Sequence, residues 1–299
     1  MTTLGVVIPI SIESPHHLYR TLGTLVTSLD VSFDIAIVIS SEVTPEIKEV
    51  ADFFNCTIIQ NKDLAVGEAK NRGIEELREC KYFLVVDSHM IFHGRSWIRK
   101  LIELCERKRD IGVVTVPIYD IDSPRAITYG LSINSKLGDK WNTIYSVSKE
   151  PIEVIQACGC FHFFSRDTYE ESIIGYLPAM PFEACDLCLR LNLIGRRTIC
   201  YPITYVGHKF GDKPRIYDKR RAFLKAFTYV ASCYINFSEE NFRKVLPLLR
   251  ELSPYTDLVI KDVLNNSKIL EVREYVSRKK VIDEVTLFRK FNVKIKYLC

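Results

Sequence analysis

The sequence predicts an α/β protein with a mostly parallel central sheet flanked by helices, followed by a helical C-terminal extension. Two observations carry this prediction. Short β-rich apolar runs alternate with amphipathic stretches over roughly the first 120 residues, as in successive βαβ units. Beyond residue 222 the apolar positions recur at helical spacing, as at Val245, Leu248, Leu249 and Leu252. We therefore divide the chain into residues 1–217 and 218–299.

Continuous apolar runs predict the strands, because strands covered by helices on both faces need no polar alternation. The predicted strands are Gly5 to Ile10, Asp34 to Ile39, Tyr82 to Val86, Ile111 to Val116, Val154 to Phe164 and Arg197 to Tyr205. Gly159 interrupts the fifth, at a point where a ligand or another backbone can approach closely. Residues 118–155 mix short apolar runs with polar residues, and they predict edge strands and an acceptor-side loop.

Apolar residues at helical spacing separate these strands. The predicted helices are Leu18 to Leu29, Pro45 to Phe54, Gly67 to Cys80, Trp97 to Lys108 and Phe182 to Leu193. The last carries Glu183 and Asp186 in its first turn, where the helix dipole favours carboxylates. Asp186 and Arg190 stand four residues apart, so we expect them to pair with each other.

The composition excludes several classes of protein. With 299 residues, 47% of them hydrophobic, the chain can bury a large core and is neither disordered nor fibrous. A net charge of only +4 predicts no nucleic-acid partner, so any anion site is local. No apolar run reaches the roughly 18 residues of a membrane span. The N-terminus lacks a basic segment and its apolar run breaks at Pro9, which predicts a cytoplasmic protein, and the two glutamines fit a thermophilic source.

The ten cysteines, without a secretion signal, predict reduced thiols. Cys158 and Cys160, with Cys185 and Cys188, have the spacing of half-sites of a zinc centre or of disulfide partners. Because they lie in a predicted apolar strand and helix, we interpret them instead as small buried hydrophobic residues.

Polar residues at strand ends mark the candidate site, because ligands of open α/β sheets gather at the carboxyl ends of the strands. This rule nominates Pro9 to Glu13, Ser40 to Ser41 and Asp87 to His89. In an extended segment residues i and i+2 point the same way, so Asp87 and His89 can reach one cation. A polar strand exit also needs turn-forming residues, so this pair alone leaves both interpretations open.

Six segments together carry a resemblance to a known family. They are, in order, GVVIPI, NKDLAVGEAKNRG, YFLVVDSH, ACGCFHFFSRDTYE, FEACDLCLRL and YPITYVGH. In this order and spacing they resemble the GT-A fold glycosyltransferases of family 2, and more narrowly the polypeptide N-acetylgalactosaminyltransferases. The resemblance covers roughly residues 4–217. It implies a GT-A fold and transfer of a sugar from a nucleotide-diphosphate sugar, UDP-linked, to an acceptor that the sequence does not identify.

The resemblance implies a metal site made by Asp87, His89 and the distant His208. A carboxylate with two imidazoles suits Mn²⁺, with Mg²⁺ as the alternative, and leaves positions open for diphosphate oxygens. The cation would neutralise the charge that develops on the departing nucleoside diphosphate, which makes Asp87 a catalytic residue. A structural histidine at a strand end remains the alternative for His208.

The resemblance also implies the donor-binding residues. They are Pro9, Ile10, Ser11 and Glu13 near base and ribose and Lys70 facing the diphosphate, and Ser40, Ser88 and Gly159 are further candidates. Family members often carry an Asn-Glu pair after the first strand and an acidic residue after the second. Here Ser11-Ile12-Glu13 and Ser40-Ser41 stand there, which leaves base specificity open. Lys70 occupies the position of a frequent arginine, and a solvated helix lysine is its alternative.

The segment FEACDLCLRL departs from the family pattern at the catalytic position. Inverting family 2 enzymes usually carry Glu-Asp here, with a carboxylate as general base, whereas this chain has Glu183-Ala184. Glu183 is either that base or a hydrogen-bond partner of the donor sugar. Because the base position is altered and the metal set is present, a retaining front-face displacement is favoured over inversion.

The segment KFGDKPRIYDKRR after His208 is similar to the basic loop that closes over the nucleotide in the relatives. Lys209, Lys213, Arg215 and Tyr217 are its candidate phosphate contacts, and closure would exclude water that could hydrolyse the donor. The cluster Lys219 to Arg221 is either a solvated face or part of a peripheral contact of residues 213–225 with an anionic membrane surface on the cytoplasmic side.

Two other functions remain open from the sequence. A sugar-nucleotide pyrophosphorylase would need a glycine-rich loop directly after the first strand, and Pro9 to His17 contains no glycine. A nucleotide-sugar-binding protein on a decayed transferase fold is suggested by Ala184 and by the missing acidic residue after the second strand.

Overall fold

The structure, a computed structural model, describes residues 3–10, 14–60, 65–123, 127–137, 139–144, 150–179, 182–209 and 218–298. Its strands are β1 (Leu4–Ile10), β2 (Phe33–Ile39), β3 (Thr57–Gln60), β4 (Tyr82–Val86), β5 (Met90–Phe92), β6 (Ile111–Thr115), β7 (Ile118–Asp120), β8 (Ile127–Ile133), β9 (Asp139–Ile144), β10 (Ile152–Val154), β11 (Phe161–Ser165), β12 (Arg197–Cys200) and β13 (Val206–His208). Its helices are α1 (Pro15–Val26), α2 (Pro45–Phe53), α3 (Val66–Glu76), α4 (Trp97–Arg107), α5 (Arg166–Glu171), α6 (Glu183–Leu193), α7 (Lys219–Asn236), α8 (Glu239–Leu252), α9 (Thr256–Leu264), α10 (Ser267–Lys279) and α11 (Glu284–Lys290).

An eight-stranded sheet forms the centre of the described fold, in the order β10-β12-β6-β11-β4-β1-β2-β3. Strands β3, β2, β1 and β4 run parallel, as do β6 and β12, whereas β11 and β10 run antiparallel to their neighbours. Val6 of β1 packs with Leu18 and Leu22 of α1, while Val7 packs with Ile74 of α3 on the opposite face. Helices thus cover both faces of the sheet, and the predicted α/β class is confirmed.

Short sequence signals start the helices at the edge of the sheet. Pro15 and Pro45 stand at the first positions of α1 and α2, where a missing amide hydrogen costs nothing. The Thr44 hydroxyl accepts a hydrogen bond from the Ile47 amide, and the Glu68 carboxylate accepts one from the Ala65 amide at 2.8 Å. These caps keep the helix N-termini beside the carboxyl ends of the parallel strands.

A second, five-stranded sheet has the order β5-β13-β7-β8-β9. It uses residues from the 118–155 stretch, where edge strands are predicted. In it β13 pairs parallel to β7 and antiparallel to β5. The two sheets meet between β4 and β5, which are separated only by the segment Asp87 to His89.

Two predicted strands are wrong as single elements. Val154 to Phe164 is divided by a turn, in which the Phe161 amide donates to the Cys158 carbonyl at 3.0 Å. Only Val154 of the predicted range lies in β10, most of the rest of the observed strand is β11, and these two strands occupy different places in the large sheet. Arg197 to Tyr205 ends at Cys200, since Pro202 cannot donate to a ladder, and β13 begins again at Val206.

The C-terminal helices α7 to α11 pack on the rest of the fold through α6. Cys185 and Leu189 of α6 share one buried cluster with Val230, Val245 and Phe288 from α7, α8 and α11. The predicted domain boundary after residue 217 falls at the end of the undescribed stretch 210–217 and stays a prediction. Among the described helices, none combines the length and apolar character that crossing a membrane requires.

Candidate metal centre and donor site

Asp87, His89 and His208 come together at the junction of the two sheets. One ligand atom from each lies within 4.8 Å of the others. Nε2 of His208 is 3.0 Å from Oδ2 of Asp87, and the two imidazole rings are 4.6 Å apart between centroids. Asp87 follows β4, while His208 ends β13 opposite Met90, so strand pairing brings a residue 121 positions away to the carboxylate.

Buried hydrogen bonds hold this segment in place. The fully buried Thr21 hydroxyl of α1 lies 2.8 Å from the Ser88 carbonyl oxygen and accepts from the Met90 amide at 2.9 Å. The Asp87 amide donates to the Cys160 carbonyl at 3.2 Å, and the Lys209 amide donates to the His89 carbonyl at 3.1 Å. Three different elements therefore fix the positions of the ligand-bearing residues.

The donor set fits a divalent cation. Ligands that lie about 2 Å from one ion are about 3–4 Å apart, so these side chains need only small rotations to share it. Burial alone would raise the pKa of Asp87, but the hydrogen bond from His208 and the positive charges nearby outweigh it and lower the pKa to about 2. The ionised carboxylate and imidazole nitrogens suit Mn²⁺ and related ions.

A buried ion pair lies beside this group. The Lys70 ammonium donates to Oε1 of Glu183 at 3.1 Å and to the Gly159 carbonyl at 3.0 Å, and both charged side chains are almost fully buried. The interpretation of Lys70 as a solvated helix residue is therefore wrong. The second oxygen of Glu183, Oε2, is buried without a hydrogen-bond partner. A buried acceptor of this kind is costly unless a ligand hydroxyl or water satisfies it.

Electrostatics connects the ion pair to the metal ligands. Burial lowers the pKa of Lys70, but the negative charges of Glu183 and Asp87 outweigh it and raise the pKa above its ordinary value. Lys70 therefore stays protonated and compensates both carboxylates.

Two residues near Lys70 were not predicted. The ammonium lies 4.9 Å from the centroid of the Tyr176 ring, and the Tyr176 hydroxyl is 2.7 Å from Nδ1 of His162. Burial lowers the pKa of His162 to about 3, with the Lys70 charge contributing, so the ring is neutral. Tyr176 lies in the loop before α6, in a segment with no recognisable motif, so no sequence signal pointed to it.

The predicted donor-binding residues fall into three groups. Ile10 and Ser40 lie side by side at the ends of β1 and β2, where the Ser40 amide donates to the Ile10 carbonyl at 2.8 Å, with Pro9 just before them. Ser88 is buried between the metal ligands, and Gly159 lies against Lys70 and Glu183. The remaining predicted residues, Ser11, Glu13, Lys213, Arg215 and Tyr217, lie outside the described residues.

The predicted pair of Asp186 and Arg190 in α6 is confirmed, and it connects α6 to neighbouring segments. Arg190 donates to Asp186 at 2.7 Å and also bonds the carbonyls of Ser172 and Gly175, in the loop that carries Tyr176. Asn236 of α7 donates to the same Asp186 carboxylate at 2.8 Å. These residues hold α6, the loop and α7 together.

None of the nine cysteines in the part of the chain that the structure describes forms a disulfide. The metal-binding arrangement found among those residues is Asp87, His89 and His208. The half-site spacing of Cys158, Cys160, Cys185 and Cys188 therefore does not form a zinc centre, and their burial agrees with the interpretation as small hydrophobic residues.

Comparison with known proteins identifies the fold. Neither protein-family models nor curated proteins yield a match to the sequence. Among solved structures, the chain is similar to GalNAc-T7, crystallised with UDP, GalNAc and Mn²⁺, with a TM-score of 0.72 and 14% sequence identity. The match covers 97% of this chain and 57% of that chain. The chain thus has a GT-A fold, as the motifs predict, and spans little more than half the length of GalNAc-T7.

Proposed function

We propose that this protein is a metal-dependent glycosyltransferase that uses a UDP-sugar donor. The observation that carries the proposal is the convergence of Asp87, His89 and His208 at the junction of the two sheets. The GT-A fold supports it, because GalNAc-T7 has the same fold in complex with UDP, GalNAc and Mn²⁺. The absence of glycine at the described end of β1 and start of α1 argues against a pyrophosphorylase.

Asp87, His89 and His208 would hold Mn²⁺ or Mg²⁺. A bound cation supplies Lewis-acid stabilisation of the negative charge on the leaving diphosphate. Thr21 and the Cys160 carbonyl keep the ligand segment in position, which limits the side-chain movement that binding requires. In this proposal Lys70 contributes a fixed positive charge near the diphosphate without having to contact it.

The environment of Glu183 favours retention of anomeric configuration. A general base must take a proton from the acceptor hydroxyl, but one oxygen of Glu183 is already paired with the Lys70 ammonium at 3.1 Å. Its Oε2 has no hydrogen-bond partner in the described structure and, in this proposal, accepts a hydrogen bond from a donor-sugar hydroxyl. Inversion with Glu183 as base is the alternative.

We propose the remaining donor contacts on the basis of the family resemblance of the sequence. Pro9, Ile10, Ser11, Glu13 and Ser40 would contact base and ribose, and Lys209, Arg215 and Tyr217 would contact phosphate. Residues 118–155 and the helical C-terminal region would shape the acceptor site. We also keep as predictions the cytoplasmic location and a peripheral contact of residues 213–225 with anionic lipid, for which the exposed Lys219, Arg220 and Arg221 supply positive charge.

Calorimetry with UDP tests the metal-dependent donor site. We expect UDP binding and UDP-sugar hydrolysis that require Mn²⁺ and are lost with EDTA. Asp87→Ala should weaken Mn²⁺-dependent UDP binding by about 100-fold, because it removes the anionic ligand. The matched control, Asp52→Ala, removes an exposed carboxylate on α2 and should change binding by less than about twofold. UDP turnover that persists in EDTA would contradict the metal role.

The anomeric configuration of the released sugar distinguishes the two mechanisms. NMR of fresh hydrolysis product from an α-linked UDP-sugar should show the α-anomer first if the enzyme retains configuration. Early β-anomer would instead assign Glu183 as the base of an inverting reaction. Mn²⁺-dependent binding of UDP without turnover of any donor, in water or with added glycan and protein acceptors, would favour the binding-protein alternative suggested by Ala184.

A further inference from the structure

Two thiols are in contact in the turn that lies between the metal ligands and the buried ion pair. Sγ of Cys158 is 3.3 Å from Sγ of Cys160, and both residues are only 4% exposed. The Phe161 amide closes the turn by donating to the Cys158 carbonyl, so both side chains project from one tight reversal of the backbone. Gly159, between them, is partly exposed.

The backbone of the same turn holds both parts of the site. The Gly159 carbonyl accepts a hydrogen bond from Lys70, and the Cys160 carbonyl accepts one from the Asp87 amide. Any movement of the two sulfur atoms is transmitted to these carbonyls through very few bonds. The cysteine pair is thus placed where a change in its covalent state alters the position of Asp87.

We propose that Cys158 and Cys160 form a site of reversible oxidation by hydrogen peroxide, and that their disulfide weakens binding of the divalent cation. The second part rests on the proposed metal-dependent function. A disulfide bond is about 2.05 Å long, so the sulfur atoms would approach by about 1.3 Å from their present 3.3 Å. The Asp87 amide donates to the Cys160 carbonyl at 3.2 Å, so a movement of the turn on disulfide formation shifts the backbone that carries Asp87.

The oxidation balances with peroxide as the only co-reactant. One cysteine sulfur attacks a peroxide oxygen, the O–O bond breaks and water leaves, which gives a sulfenic acid. The second sulfur then attacks the first, the S–O bond breaks and a second water leaves with the remaining thiol proton. Two thiols and one peroxide therefore yield one disulfide and two waters.

Reduction restores the starting state. The closed loop contains a single intervening residue, so the disulfide gains little from restricting the unfolded chain and is readily reduced by a dithiol. Both cysteines are only 4% exposed, so we expect slow oxidation by peroxide.

Peptide mapping combined with Mn²⁺ titration tests the proposal. The full chain is treated with hydrogen peroxide, digested without reduction and mapped by mass spectrometry, and Mn²⁺ affinity is measured on the same samples by calorimetry. We expect a Cys158–Cys160 cross-link, a loss of Mn²⁺ affinity of about tenfold or more, and recovery with dithiothreitol. Cys158→Ser should bind Mn²⁺ normally and resist the loss, whereas the control Cys105→Ser on α4 should remain sensitive.

The possible results separate this inference from the proposed function. If no cross-link forms while other cysteines oxidise, or if Mn²⁺ affinity is unchanged after cross-linking, the inference is wrong. If the reduced protein does not bind Mn²⁺ at all, the coupling and the metal-dependent function both fail, while the peptide map still decides whether the oxidation site exists.

Discussion

Burial determines the role of individual charged residues in this protein. Lys70 and Glu183 are 113 positions apart in the chain, yet each compensates the charge of the other in a site that excludes solvent. Ion pairs of this kind contribute less through their attraction than through the cost of leaving one partner alone. The pair therefore holds Glu183 in a fixed position beside Gly159.

Removing one member of the pair should destabilise the protein strongly. We expect Lys70→Met to lower the free energy of unfolding by about 3–5 kcal/mol, because Glu183 would remain buried without a partner. The double variant Lys70→Met/Glu183→Gln should lose less than the sum of the single variants in urea unfolding. Lys81→Met, which breaks the exposed pair with Glu106, should cost less than about 1 kcal/mol. Strict additivity in the double variant would contradict the pairing.

His162 should make stability depend on acidic pH. Its folded pKa of about 3 lies below its ordinary value of 6.5, so below pH 6.5 the unfolded chain binds a proton that the native state does not. Stability should therefore fall as the pH drops from 6.5 towards 3, by up to about 1.4 kcal/mol per pH unit from this residue.

Urea unfolding across this pH range compares the wild type with His162→Gln. The variant should lose part of that slope, while the exposed control His16→Gln should keep it. Equal slopes for wild type and His162→Gln would show that His162 is not a buried neutral residue.

At the scale of elements, close packing of α3 on the sheet positions Lys70. A Cβ atom on Gly73, one turn after Lys70, would lie 2.4 Å from Cγ1 of Val7 and 3.0 Å from Cγ2 of Val38. Both valines are fully buried in the strands β1 and β2. The absence of a side chain at Gly73 therefore sets the distance between α3 and the sheet.

Gly73→Ala should displace the helix and lower stability by about 1–3 kcal/mol. UDP binding should weaken at the same time, because Lys70 moves with α3. Gly23→Ala in α1 is the matched control, since its Cβ would meet only Phe54 at 3.8 Å and alanine favours the helix. We expect that control to be neutral or stabilising in thermal unfolding. A neutral result for Gly73→Ala would contradict the packing argument.

At the scale of the whole molecule, the C-terminal helices complete the core. The apolar face of α6 packs against α7, α8 and α11, and Asn236 of α7 bonds the Asp186 carboxylate of α6. The helix that begins with Glu183 is therefore supported from both sides. This packing does not support treating residues 1–217 and 218–299 as two functionally separate units.

Deleting residues 218–299 should prevent cooperative folding of the remainder. The deletion would expose the buried residues Cys185, Leu189 and Leu193 of α6 to solvent. We expect the 1–217 fragment to lose near-UV circular dichroism and to show no sharp urea transition, whereas the full chain shows one. A fragment that unfolds cooperatively with native near-UV signals would show that the extension is a separate unit.

Sequence patterns predicted the parts of the fold that depend on neighbours in the chain. The apolar runs located β1, β2, β4 and β6, and the abrupt polar end of β4 located Asp87 and His89. The addition of His208 to that pair came from resemblance to a family, and the pairing of β13 with β5 provides its physical basis. Two strand predictions were wrong, one at Gly159 and one at Pro202. At each point a turn interrupts a stretch whose composition predicts a single strand.

The amino-acid sequence by itself determined the α/β class, the candidate ligand pair Asp87 and His89, and the Asp186–Arg190 pair, because these depend on patterns that are local in the chain. Only the tertiary structure decided that Lys70 is buried against Glu183, that Tyr176 lies over its ammonium, and that two thiols touch beside Asp87. These contacts form when the hydrophobic core brings distant segments together and excludes water between them. The periodicity of apolar residues along the chain does not indicate which distant residues meet where water is excluded.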